Sequence, residues 1–228
     1  MKAESQNQVA MVNTGLLVLA LLACTILLWA ALPATDAFTD ADYVRLNAHG
    51  TSWTEQPSPA GALYILSNSI YGGTEQEGFN YWNADAFSND QYSQLTVILV
   101  SNSPLHSVGP SVRVSSSAFT GYALVVYDAD GGTTHHLVLK KALAGVVTDI
   151  HDESYTTYAN DVVKLTAVGT ILSAYVNAIK IFDHVDADIA AGSAGVYHKN
   201  TSSSACKGDD WEGGDVASAS VARRRILQ

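Results

Sequence analysis

The chain has 228 residues, of which 47% are hydrophobic and 15% are charged, so it is too apolar and too weakly charged for a disordered protein. Residues 35–216 alone hold 21 acidic and 8 basic side chains, a net charge of about −13 that repels phosphate backbones. This charge excludes nucleic acid as a partner, and a total of two cysteines excludes a disulfide scaffold.

Residues 1–34 are expected to form a signal peptide or an N-terminal membrane anchor, because they include an apolar segment, residues 16–34, that contains no charged residue. Its 19 residues approach the length that an α-helix needs to cross a bilayer, so we expect one N-terminal apolar helix. The small residues around Ala34 suit a cleaved signal peptide, whereas the weakly basic start and the long apolar run favour a retained membrane anchor. Lys2 precedes the segment and Asp36 and Asp40 follow it, which predicts that the body lies outside the cytoplasm.

Residues 35–216 are expected to form one all-β domain, followed by a basic tail at 217–228. Short alternating runs rich in β-branched and aromatic residues recur about every 10 to 15 positions. The predicted strands are 62–66, 78–87, 92–100, 111–115, 121–128, 135–141, 162–168, 171–177, 180–182 and 194–197. Because no helices separate these strands, the pattern predicts two packed antiparallel sheets.

Several strands have one apolar and one polar face. The strand at 162–168 places Lys164 opposite its aliphatic residues, and the strands at 171–177 and 111–115 do the same for Tyr175 and Arg113. If these strands are neighbours, their polar faces join into one surface.

Seven sequence segments carry a family resemblance, and they occur in a consistent order along the chain: 79–97, 109–115, 121–124, 161–165, 169–177, 188–196 and 209–215. Together they resemble the concanavalin A-like lectin/glucanase superfamily, in the laminin-G-like branch common in bacterial exported proteins. The resemblance extends from about Phe38 to Val216. It implies a jelly-roll sandwich of two curved sheets, one of them concave, with any sugar on the concave sheet or on the loops at its rim. One departure is that the hairpin after Tyr175 turns on Asn177-Ala178 where the branch usually has Asn-Gly.

The superfamily includes glycoside hydrolases, which need two carboxylates at a fixed separation. On one strand a Glu-x-Asp-x-Glu or Glu-x-Asp-x-x-Glu run supplies them, and the chain has no such run. Glu75 and Glu77 come closest, but they lie in a predicted loop, and residues 151–153 are likewise expected to be a polar loop. The sequence therefore favours a domain without catalytic residues.

A sugar site needs aromatic faces for stacking and polar groups around them. We expect the ligand-binding residues to come from the following set: Arg113, Lys164, Tyr175, Trp82 and Tyr127. Two other tryptophans, Trp53 and Trp211, are expected to close the core. No cofactor is required.

Calcium is a possible ligand because exported lectin-like sandwiches often fix a rim loop with it and because the body is rich in aspartate. Asp128 and Asp130 lie in one predicted turn, and Asp209 and Asp210 form a second pair of oxygen ligands. The alternative is that these aspartates cap backbone N–H groups in turns.

The leading hypothesis is a lectin-like domain that binds glycans outside the cytoplasm without catalysis. Its first rival is an interaction subunit of a cell-surface, envelope or virion assembly, with a surface protein as partner, and its second is a divergent glycoside hydrolase. The membrane is a further partner if residues 16–34 are retained.

Overall fold

The computed structural model describes residues 33–57, 61–73, 76–100, 106–128, 135–199 and 206–217. Within these ranges the chain forms fifteen strands and a 3-10 helix, Leu46–Ala48. The strands are β1 Ala34–Asp36, β2 Trp53–Glu55, β3 Leu63–Ile65, β4 Ile70–Gly72, β5 Glu77–Trp82, β6 Gln91–Leu99, β7 Ser107–Val114, β8 Gly121–Asp128, β9 His135–Leu143, β10 Val146–Ser154, β11 Val162–Val168, β12 Ile171–Val176, β13 Ile179–Val185, β14 Ser193–Lys199 and β15 Lys207–Asp215.

The strands pair into two sheets that are antiparallel throughout. Sheet A has the order β13-β12-β11-β6-β15-β4-β3, with β1 added on β15, and sheet B has the order β10-β9-β8-β7-β14-β5-β2. The prediction of an all-β sandwich is confirmed. The expected apolar helix lies outside the described residues, apart from Pro33 and Ala34, and Ala34 is the first residue of β1. No helix in the described ranges is long and apolar enough to cross a membrane.

The two sheets face each other across an aliphatic core. Leu165 on β11 and Leu172 on β12 point inward, as their alternation predicted, and pack with residues of sheet B such as Leu124 and Leu139. At the other end the core is aromatic. Trp211 lies 4.7 Å from Trp53 between ring centroids, and both are buried, which confirms their expected role in closing the core.

Arg113 is buried and does not lie on the polar surface that alternation predicted. It sits at a β-bulge between β7 and β14, with a φ of 53° and only 2% of its surface exposed. Its guanidinium donates hydrogen bonds to the carbonyl oxygens of Asn89 at 3.0 Å, Ile189 at 2.9 Å and Gly169 at 2.6 Å. Gly192 opposite is obligatory, because a Cβ there would lie 2.4 Å from the carbonyl carbon of Arg113.

The β12–β13 hairpin turns on Asn177 and Ala178 with positive φ at both residues, 49° and 65°. This pattern is that of a type I′ turn, which suits the twist of paired strands. Asn177 tolerates the conformation, and its side chain is fixed by hydrogen bonds with Asp161 and the backbone N–H of Val162. Alanine has no polar side chain that could form such hydrogen bonds, and at positive φ its Cβ lies too close to the backbone carbonyl oxygen. The backbone of Ala178 is therefore strained.

Alternation along the chain missed five of the fifteen strands, namely β1, β2, β4, β10 and β15, although the segment 209–215 that carries part of the family resemblance lies in β15. β1, β2 and β4 have three residues each, too few for alternation to be visible. Residues 151–153 are not a loop but part of β10, which forms a hairpin with β9 through Ala144 and Gly145. β10 escaped prediction because its edge position leaves both of its faces largely polar. Glu77, also expected in a loop, begins β5.

His198 in β14 is fully buried beside Gly61 and Gly78. A Cβ at either glycine would come within 3 Å of the imidazole ring, so both positions leave room for it. Burial lowers the pKa of His198 to about 4, because the cation would lose its hydration.

Replacing Ala178 by glycine is expected to raise the free energy of unfolding by roughly 0.5 to 1 kcal/mol, since glycine removes the strain at positive φ. Urea denaturation measures the change. Ala187→Gly, at an exposed alanine outside the positive-φ set, is the control and should lower stability slightly. An Ala178→Gly protein less stable than Ala187→Gly would contradict the turn geometry.

Arg113→Met is expected to cost about 3 kcal/mol or more, because three carbonyl groups lose hydrogen bonds from one buried, charged donor, and such bonds are worth about 1.5 to 3 kcal/mol each. The control is Arg45→Met, which removes an exposed ion pair with Glu55 and should change stability by about 1 kcal/mol at most. Chemical denaturation measures the free energy of unfolding of both variants. Equal, small decreases in the two variants would show that the hydrogen bonds of Arg113 do not stabilise the fold.

Stability is expected to fall as the pH drops from 6.5 to about 4 because of His198. The unfolded chain takes up a proton on this histidine near pH 6.5, whereas the folded chain does so only near pH 4. The effect is therefore absent above pH 6.5 and grows to about 3 kcal/mol at acid pH. The pH slope of the unfolding free energy between pH 6.5 and about 4 should be smaller in His198→Gln than in the wild type. An unaltered slope in His198→Gln would contradict the assignment.

Candidate functional site

The outward face of sheet A collects polar side chains from neighbouring strands. The pairing register puts Tyr175, Lys164, Gln94 and Glu212 in one row across β12, β11, β6 and β15. The adjacent row holds Ser173, Thr166, Tyr92 and Gly214. Alternation along each strand therefore builds a continuous polar surface, as predicted for Lys164 and Tyr175.

A groove of about 420 Å³ lies on this face, and we call it the sheet A groove. It is lined by Tyr92, Lys164, Thr166, Tyr175, Ala178, Asp215, Val216 and Ala217. Two tyrosines line the groove, and the strained hairpin and the segment after β15 form parts of its wall. The structure thus brings two of the five predicted ligand-binding residues, Lys164 and Tyr175, into one cavity.

Tyr92, Lys164 and Glu212 form a connected set at the groove. The Nζ atom of Lys164 lies 3.8 Å from the centroid of the Tyr92 ring, within range for a cation–π contact. The Tyr92 hydroxyl donates a hydrogen bond of 2.5 Å to Oε1 of Glu212. Burial, aided by the hydrogen bond to Glu212, raises the pKa of Tyr92, so its hydroxyl remains a donor. Burial lowers the pKa of Lys164, and the charge of Glu212 opposes this shift.

Tyr92 can lie flat in the groove because residue 214 is a glycine. A Cβ at Gly214 would lie 2.8 Å from Cε1 of the Tyr92 ring. The ring therefore occupies the space that any other residue would fill.

The other three predicted ligand-binding residues lie elsewhere. Arg113 belongs to sheet B and reaches a separate cavity of about 340 Å³ beside Asn89 and Gly169. Trp82 stacks on Trp211 at a centroid distance of 5.3 Å. Tyr127 stands on the outer face of sheet B, where its ring stacks on His136.

Of the four predicted calcium ligands, the structure describes the side chains of Asp209 and Asp210. No group of three or more histidine, cysteine or acidic side chains suited to a metal occurs in the described ranges. Oδ1 of Asp209 accepts the backbone N–H of Asp210 at 2.7 Å, which is the capping role considered as the alternative. Asp130 lies outside the described residues, as does the side chain of Asp128.

Sequence reasoning missed Tyr92, Gln94 and Glu212 as site residues. Tyr92 and Gln94 share the polar side of β6, so the alternation that selected Lys164 could have found them. The contact between Tyr92 and Glu212 joins residues 120 positions apart, and a bulge in β15 sets its register, which leaves no local signal.

No family model and no curated protein matches the sequence. Among solved structures, the carbohydrate-binding module CBM66 from Bacillus subtilis is similar with a TM-score of 0.53 and 16% identity, over 73% of this chain and 94% of that one. The exoplasmic/lumenal domain of VIP36, bound to Ca²⁺ and Man3GlcNAc, has a TM-score of 0.51 and 10% identity over 82% and 92% of the two chains. A prokaryotic β-1,3-1,4-glucanase (lichenase) derived from a mouse hindgut metagenome has a TM-score of 0.51 and 10% identity over 81% and 99%.

These proteins include sugar binders and a hydrolase, so the likeness identifies the architecture and leaves the activity to the site. The chain has the concanavalin A-like jelly-roll fold.

Proposed function

We propose that this protein is a non-catalytic, lectin-like domain that binds carbohydrate in the sheet A groove, outside the cytoplasm. The observation that carries the proposal is the pair of tyrosines, Tyr92 and Tyr175, that share one cavity with Lys164 and Thr166. Aromatic faces cover the apolar side of a sugar ring, and the polar groups around them bind its hydroxyls.

The acids near the groove support binding rather than hydrolysis. Glu212 accepts the hydroxyl of Tyr92, and Asp215 accepts the backbone N–H of Ser88 at 2.7 Å. Both carboxylates therefore already accept hydrogen bonds within the protein. A hydrolase would need two of them placed on either side of a glycosidic bond.

The location outside the cytoplasm rests on the charge pattern around residues 16–34, which lie almost entirely outside the described residues. Calcium remains part of the proposal only for the turn that contains Asp128 and Asp130. Binding measured with and without a chelator tests it.

A second candidate function is that of an interaction subunit, and one surface favours it. Val168, Ile171 and Val185 are neighbours in the register of β11, β12 and β13 and are 41%, 46% and 71% exposed. Exposed aliphatic side chains at neighbouring register positions favour a protein partner. A double variant, Ile171→Ser with Val185→Ser, should abolish self-association in sedimentation analysis if a second copy binds there.

The main test is glycan binding by the full-length protein, first on a glycan array and then by titration. Tyr175→Ala should weaken binding about tenfold or more, because truncating an aromatic anchor costs roughly 1 to 3 kcal/mol. Thermal stability should change little, since the ring lies in the groove and not in the core. Tyr175→Phe keeps the ring and should retain most of the affinity.

Tyr127→Ala is the matched control, because it removes a half-buried tyrosine from the other sheet. Binding lost in Tyr127→Ala and kept in Tyr175→Ala would place the site on sheet B. Gly214→Ala provides an independent variant, since the added methyl group must displace the Tyr92 ring and weaken binding.

Hydrolysis is measured with the same glycans. Asp210 and Glu212 both line a smaller pocket of about 170 Å³ beside Asp36, so they are the pair to examine. Release of reducing sugar at enzyme-like rates, abolished by Glu212→Gln, would overturn the non-catalytic proposal.

A further inference from the structure

Lys164 differs from most cations of the described chain in having no carboxylate partner. Lys140 and Lys141 form ion pairs of 2.5 and 2.6 Å with acids, and Lys180 pairs with Asp183 at 2.7 Å. Lys164 has no ion pair with any described residue, although it is half-buried in the groove. Acids outnumber bases 21 to 8 in residues 35–216, so scarcity of carboxylates does not explain this.

The two acids near Lys164 form hydrogen bonds with other residues. Glu212 accepts a hydrogen bond from the Tyr92 hydroxyl. Lys164 lies over the face of the same tyrosine ring. Asp215 is exposed and caps the N–H of Ser88. The remaining groups around the ammonium are neutral: Tyr92, Gln94, Thr166 and Tyr175.

We propose that the sheet A groove selects glycans that carry a carboxylate, that is, uronic acid residues, and that Lys164 binds this carboxylate. The inference rests on the proposed function and narrows its ligand class. A half-buried ammonium without a counter-ion gains more from a ligand anion than a fully solvated one, because less water screens the pair.

The positions of the groups define where the acidic sugar lies. Tyr175 and Lys164 are direct partners in the register of β11 and β12, so their Cβ atoms stand roughly 5 Å apart on one face. One sugar can therefore stack on the Tyr175 ring while its carboxylate meets the Lys164 ammonium.

The test compares an oligogalacturonate with its methyl ester, which has the same sugar backbone without the charge. The full-length protein should bind the acid at least about tenfold more tightly than the ester, because only the acid can form a charge-assisted hydrogen bond with the ammonium. The preference should shrink as salt is added. A glucuronate-containing oligosaccharide should be preferred over its own ester in the same way.

Lys164→Met should abolish the preference, and Lys164→Arg should retain it, which keeps the test decisive if the methionine variant folds poorly. Lys207→Met is the matched control. Lys207 also lacks an ion pair with any described residue, but it pairs with Leu99, seven residues along β6 from Tyr92. The control should bind like the wild type.

The possible failures are distinguishable. Equal affinity for acid and ester, with binding still lost in Tyr175→Ala, would overturn this inference and leave the proposed function standing. A sulfated oligosaccharide bound more tightly than the uronate would overturn the carboxylate assignment. Binding of no glycan at all would remove the proposed function and this inference with it.

Discussion

The guanidinium of Arg113 is the tie on which the two sheets and their groove depend. Arg113 belongs to sheet B, yet its donors reach Asn89, just before β6, and Gly169, in the turn between β11 and β12 of sheet A. A third bond to Ile189 fixes the segment that leads back into β14. Only arginine offers five donors in a rigid planar arrangement, so one side chain holds three chain segments that are far apart in sequence.

This tie bears directly on the groove. The strands that it holds at one end, β6 and β11, carry Tyr92 and Lys164 in their outward rows. Because successive side chains alternate in direction, a slip of one residue in either strand would turn the outward side chain of that strand into the core. A second hydrogen bond fixes the same turn, since the backbone N–H of Gly169 donates to Oδ1 of Asp90 at 2.8 Å. Arg113, which the sequence predicted to bind the ligand, thus stabilises the strands that carry the groove.

Alternation of apolar and polar residues predicts some features of this fold and not others. Period-two alternation identified most of the long strands and the outward direction of Lys164 and Tyr175, because a strand with one buried and one exposed face shows that difference in its own residues. It failed for Arg113, since a bulge breaks the alternation and a buried arginine is identical in sequence to an exposed one. The pairing of Tyr92 with Glu212 depends on strand order, which no local pattern encodes.

The Asn177-Ala178 turn has a consequence for the chemical durability of the chain. Asparagine deamidates when the backbone nitrogen of the next residue attacks its side-chain carbonyl, and glycine at that position leaves the approach open. Here the methyl group of Ala178 stands beside that nitrogen, and both ends of the Asn177 amide are held by Asp161 and Val162. The backbone strain at Ala178 thus accompanies a hairpin whose asparagine is protected from deamidation.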